Sequence, residues 1–316
     1  ASLVYRGGQL FALKTQPPKQ QPMVVVMKSA DDVANERIVI DPNAIDATGS
    51  TSIDFHVPSV DGKLVAASPS EGGSESGTVY VFDTATGKKL GDVIPRVNGG
   101  TAGGSVAWNA DGSGFFYTRY PRGNERPPED MDFYQQVYFH KLGTPTDADT
   151  YEVGKDFPRI AEVAMETSDD GRYISAAVAK GDGGEFEHYL RTPEGQWTKF
   201  ASYDRQVIKT RFGSPEYLTL LTRIGAPRGR LFIMPLDGPS LSNAERVVEP
   251  SEAVIEDVTR TREHMFVLDL VGGPSQIRLF DFRGTPEGLV PILPVSTVEQ
   301  IVAVGPDEVL IRNESF

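Results

Sequence analysis

Short runs of apolar and β-branched residues alternate with polar turns along the whole chain, and no run keeps a helical stripe for three turns. One stretch shows the pattern well. Ile53-Asp54-Phe55-His56-Val57 alternates apolar and polar positions, and Lys63 to Ala67, Thr78 to Asp83 and Leu90 to Ile94 follow at short intervals. Thr84-Ala85-Thr86-Gly87-Lys88 supplies the turn between the last two. Four such strands joined by tight turns predict an antiparallel sheet.

The unit repeats. Ser59-Val60-Asp61-Gly62, Asn109-Ala110-Asp111-Gly112 and Ser168-Asp169-Asp170-Gly171 each precede a β-prone run. Glycine accepts positive φ without a Cβ clash and aspartate bonds its own backbone, so these aspartates are read as turn formers and not as metal ligands. Weaker echoes stand at Gly213-Ser214-Pro215-Glu216, Thr261-Arg262-Glu263-His264 and Gly305-Pro306-Asp307-Glu308. Four strands in each roughly 40- to 50-residue period predict propeller blades. The fold expected is all-β: one seven-bladed β-propeller domain over residues 1–316, built of four-stranded antiparallel blades with the last incomplete. The blades are expected at about 1–45, 46–97, 98–155, 156–203, 204–250 and 251–296, with a partial one at 297–316. Blade one should hold strands at Ser2–Arg6, Gln9–Lys14, Met23–Lys28 and Glu36–Ile40, and the partial blade only Thr297–Val304 and Glu308–Asn313.

Composition narrows the function. A net charge of -13 with no basic run argues against nucleic acid. The absence of cysteine removes disulfides, thiolate metal sites and cysteine nucleophiles. No apolar run is long enough to span a membrane and no leader is visible at Ala1–Arg6, which leaves the compartment, cytoplasmic or periplasmic, undetermined.

Specific strings carry more information than the repeat. Tyr134-Gln135-Gln136-Val137-Tyr138-Phe139-His140-Lys141-Leu142-Gly143-Thr144-Pro145, with Val106-Ala107-Trp108-Asn109-Ala110-Asp111-Gly112 before it, closely resembles the third blade of bacterial prolyl oligopeptidases. Asp41-Pro42-Asn43, Ser168 to Tyr173, Gly225-Ala226-Pro227-Arg228 and Asn313-Glu314-Ser315-Phe316 match the same family in the same order. The resemblance implies a propeller that accompanies a separate α/β-hydrolase domain bearing Ser, Asp and His, and that gates the access of short proline-containing peptides to it. The parent protein is then a serine endopeptidase cleaving after proline, with this chain non-catalytic and its partners the hydrolase domain and short peptides. A free-standing propeller serving as a protein-interaction module is the alternative.

Candidate chemistry within the chain is sparse, and no catalytic, cofactor or metal residue is expected. A nucleophile elbow needs Gly-x-Ser-x-Gly or a close variant. The nearest strings, Gly103-Gly104-Ser105-Val106-Ala107 and Gly72-Gly73-Ser74-Glu75-Ser76, lack its strand-to-helix context. His56, His140, His188 and His264 lie in separate blades without close-spaced second ligands, and His188 is the one considered for a substrate-facing position. Trp108 and Trp197 are expected to pack within blades. Pro121 to Asp132 is longer than a hairpin needs, and is read as a solvated insertion or a loop controlling access at a domain interface. The stretch Gly100 to Ser105 offers no aromatic where related enzymes can line a peptide pocket, so no substrate contact is carried over to it.

Overall fold

Six four-stranded antiparallel sheets follow one another in sequence order, and a two-stranded sheet comes last, in a computed structural model that describes residues 2–72, 77–98 and 103–315. The first blade comprises Leu3–Arg6, Gln9–Lys14, Met23–Met27 and Arg37–Ile40. The final sheet pairs Ser296–Ala303 with Val309–Ser315. This corrects the expectation of a seven-bladed propeller: the described residues form six blades and a hairpin. After the sixth blade there are two alternating apolar runs, and two strands are what they make. Among the described residues helix is confined to one turn, Pro42–Ile45, and a few 3-10 turns; Asp41 caps that turn by accepting from the Asn43 amide at 3.0 Å.

Burial is graded across each blade. Second strands such as Gly114–Arg119 and His264–Leu270 are almost wholly buried, whereas fourth strands such as Thr150–Val153 and Pro286–Leu289 have no buried residue. The register between third and fourth strands shifts in all six blades. Such bulges increase local twist and turn an outer strand away from the flat edge that would recruit another chain.

The Asp-Gly turns repeat down to their hydrogen bonds. Ser59 Oγ donates to Asp61 at 2.7 Å, Asp61 accepts from the Lys63 amide at 3.1 Å, and the Leu64 amide donates to Ser59 Oγ at 3.0 Å. Ser168, Asp170, Arg172 and Tyr173 reproduce this set at 2.7, 3.1 and 3.0 Å. These aspartates are turn formers, as the sequence predicts. The three weaker echoes also fall in turns between first and second strands.

The chain divides into two compact units, residues 1–183 and 184–316, with the division between the second and third strands of blade four. Within unit one the apolar cores lie between neighbouring sheets: Phe11, Val24 and Val26 of blade one meet Ile53, Val65 and Phe82 of blade two. Val79, Val81 and Ile94 then meet Val106, Trp108 and Phe115 of blade three. Unit two repeats the arrangement, with Leu221 and Leu231 of blade five against Ile255, Val258 and Val267 of blade six.

Candidate functional site

A groove of unit one runs along the first strands of its blades. Val4 and Arg6, Phe55 to Pro58 with Val60, Gly104 to Val106 with Trp108, and Met165 to Thr167 enclose a cavity of about 300 Å³. Its wall is mainly apolar, as small-molecule sites usually are, and its polar groups are few. Trp108 is 1% exposed, meets Phe115 edge-on at 5.0 Å and donates from Nε1 to the Val57 carbonyl at 2.8 Å. Thr167 Oγ1 donates to the Trp108 carbonyl at 2.8 Å, and Arg6 donates to the Thr167 carbonyl at 2.9 Å and to Asp169 at 2.6 Å.

Ser105, the serine nearest to an elbow in this region, leads into Val106–Trp108, and its Oγ accepts from the Met165 amide at 2.8 Å. No histidine hydrogen bonds to it among the described residues, so it lacks the neighbouring base that activates a serine. Of the other near-match, Gly72 to Ser76, residues 73–76 lie outside the described residues, as do residues 100–102 of the stretch from Gly100 to Ser105.

The four histidines separate into two kinds. His56 lines the groove but is 8% exposed, and burial alone pulls its pKa down to about 4, so the ring there is neutral. His188 is 1% exposed, stacks on Phe200 and contacts the Val207 carbonyl through Nε2 at 2.8 Å. Burial also takes it to about 4, only partly opposed by that carbonyl. His140 lies between Asp149 at 2.7 Å and Asp92 at 3.1 Å, and His264 between Asp307 at 2.8 Å and Glu287 at 3.1 Å. Asp92 and Asp307 lie 48 and 43 positions from their histidines, beyond the reach of local spacing, whereas Asp149 lies nine positions from His140 across a turn. No group of three or more His, Asp or Glu residues able to hold a metal exists among the described residues.

Pro121 to Asp132 is folded by arginines. Arg119 grips Glu125 through two contacts at 2.8 and 2.6 Å, Arg122 donates to the Pro95 carbonyl at 2.8 Å, and Arg96 and Arg159 hold Asp132 and Asp130 at 3.0 and 2.8 Å. Arg126 and Arg159 each cover an aromatic ring, Tyr134 and Phe133, at 3.6 Å. The hydrogen bond from Arg119 holds Glu125 below the usual carboxylate range. In unit two, a polar groove of about 230 Å³ contains Arg211, Asp257 and Glu299; Asp257 accepts from Arg211 at 2.8 Å and from Lys209 at 3.0 Å.

Residues 2–315 match the family described as "Prolyl oligopeptidase, N-terminal beta-propeller domain". The chain belongs to this family. Among similar proteins, the prolyl endopeptidase of Elizabethkingia meningoseptica is 27% identical over 266 residues, which is 82% of this chain and 36% of that protein. The chain therefore spans about a third of that relative's length. A solved structure from an analysis of two prolyl endopeptidases and their inter-domain dynamics superposes with a TM-score of 0.81 at 24% identity, covering 95% of this chain and 42% of that one. Prolyl oligopeptidase B from Galerina marginata, bound to a 35mer hydrolysis and macrocyclization substrate, gives a TM-score of 0.75 at 18% identity, covering 95% and 45%. At these identities the superpositions speak for the fold. Membership of the prolyl oligopeptidase propeller family accounts for the blade pattern and for the ordered strings from Asp41 to Ser315.

Proposed function

We propose that this chain is the non-catalytic, access-controlling domain of a serine peptidase that cleaves after proline, working beside an α/β-hydrolase domain that supplies Ser, Asp and His. The family match over residues 2–315 carries this reading. It is supported by the chain's span of 36% of a prolyl endopeptidase, since a hydrolase sheet and its helices need residues of their own. The chemistry of the groove agrees. It offers apolar wall and backbone hydrogen bonding, but its serine is tied to a backbone amide and its histidine is neutral and buried. A domain of this kind contributes by excluding wide substrates and admitting short, flexible ones.

The test is hydrolysis of a Gly-Pro reporter by the purified chain, with and without a serine-reactive phosphonate. No turnover above a heat-treated control is expected. Phosphonate-sensitive turnover that co-purifies with the chain overturns the reading, because a triad within these residues would then be required.

A further inference from the structure

The first hairpins of blades one to four meet at one end of unit one. A Cβ on Gly7 would overlap the Asp61 carbonyl, so the turn of blade one lies directly on that of blade two. Trp108 joins blade three to the Val57 carbonyl of blade two, and Thr167 of blade four joins the Trp108 carbonyl. A Cβ on Gly171 would overlap Ala110, which sets the turns of blades three and four together in the same way. Arg6 completes the circuit: it belongs to blade one, yet donates to Thr167 and Asp169 of blade four, 163 positions away for the latter.

We propose that Arg6 and Asp169 form an exchangeable latch over the turn end of the first-strand groove, and that opening the latch sets the access of small molecules to that groove from this end. The two partners differ in a way that suits the role. Arg6 is 19% exposed, lines the groove and is anchored on the Thr167 carbonyl, whereas Asp169 is 68% exposed. An ion pair with one partner so exposed shifts an equilibrium only a few-fold and is weakened by salt. The latch therefore opens often. It adjusts a rate and does not seal the groove. Asp169 is the carboxylate that pairs with Arg6, and its loss leaves in place the hydrogen bond from the guanidinium to the Thr167 carbonyl. The inference rests on this geometry and not on the peptidase reading, and its test uses no peptide.

The chain has no cysteine, so a single introduced thiol reports on one place. Met165→Cys puts the thiol in the groove wall, Val60→Cys is a second groove position in case the first does not fold, and Lys88→Cys is an exposed control. The rate of reaction with a small maleimide is measured with Asp169 intact and with Asp169→Asn. The latch predicts labelling about two- to five-fold faster in the groove without Asp169, the size of effect an exposed pair can exert. It also predicts an unchanged rate at Lys88→Cys, and acceleration by salt only where Asp169 is present. Equal groove rates in the two backgrounds, equal salt responses, or the same acceleration at the control position each overturn it.

Discussion

The buried cluster around His140 is the residue-scale feature with the clearest energetic consequence. His140 has no exposed surface and bridges Asp92, in the last strand of blade two, to Asp149, beside the last strand of blade three. Tyr117 donates to Asp149 at 2.7 Å and accepts from Arg122 at 3.2 Å, while the Gly143 amide donates to Asp92 at 2.6 Å. Burial disfavours the imidazolium, but the two carboxylates outweigh it, and the His140 pKa is raised above 6.5. Removing one partner from a buried ionic cluster leaves the others uncompensated, so His140→Gln is expected to cost about 3 kcal/mol of unfolding free energy near pH 6. A group whose folded pKa is raised contributes its full stabilisation below the unfolded value, and loses it as pH rises through the folded value. The gap between wild type and His140→Gln in urea midpoints should therefore narrow from pH 6 to pH 9. A gap that stays constant or widens contradicts this assignment. The same cluster marks the limit of sequence reading. Asp61, Asp111 and Asp170 were legible because their partners are two positions away, whereas Asp92 and Asp169 find theirs only once blades come together.

Among the elements, the closing hairpin differs from the rest. Within the described residues Val309–Ser315 pairs with Ser296–Ala303 alone, and none of its side chains is fully buried. Val309 and Ile311 reach the small cluster of Phe266, Leu268, Ile277 and Val298, but only partly. Ile174–Lys180 in blade four, by contrast, is mostly buried. Local opening is easiest where apolar contacts are few and a sheet edge is unpaired, so amides of Val309–Ser315 should exchange about tenfold or more faster than those of Ile174–Lys180. Equal protection in a dilute monomer would show that the edge is satisfied by other contacts. Strands and turns were the most legible level in the sequence: in blade one the predicted and observed strands differ by one residue at most at each end. Blade number was less so, because a period states how long a unit is and not whether its final copy has two strands or four.

At the larger scale, each unit is stabilised by apolar cores between adjacent sheets. That construction leaves first strands free to line grooves, and unit one uses it to build an apolar groove whose serine accepts from a backbone amide and whose histidine is buried and neutral. The blade architecture could be read from repeats and the family from ordered strings, but the groove could not, because it is made of residues contributed two to five at a time by four blades far apart in sequence. The central claim is that this domain restricts what reaches a separate hydrolase site. The most direct measurement takes the full-length gene product and compares kcat/KM for a short proline peptide with that for the same sequence held in a folded carrier protein. It then repeats the comparison after residues 1–316 are removed. The account predicts a strong preference for the free peptide that collapses when the domain is absent; a preference of the same size without the domain would contradict it.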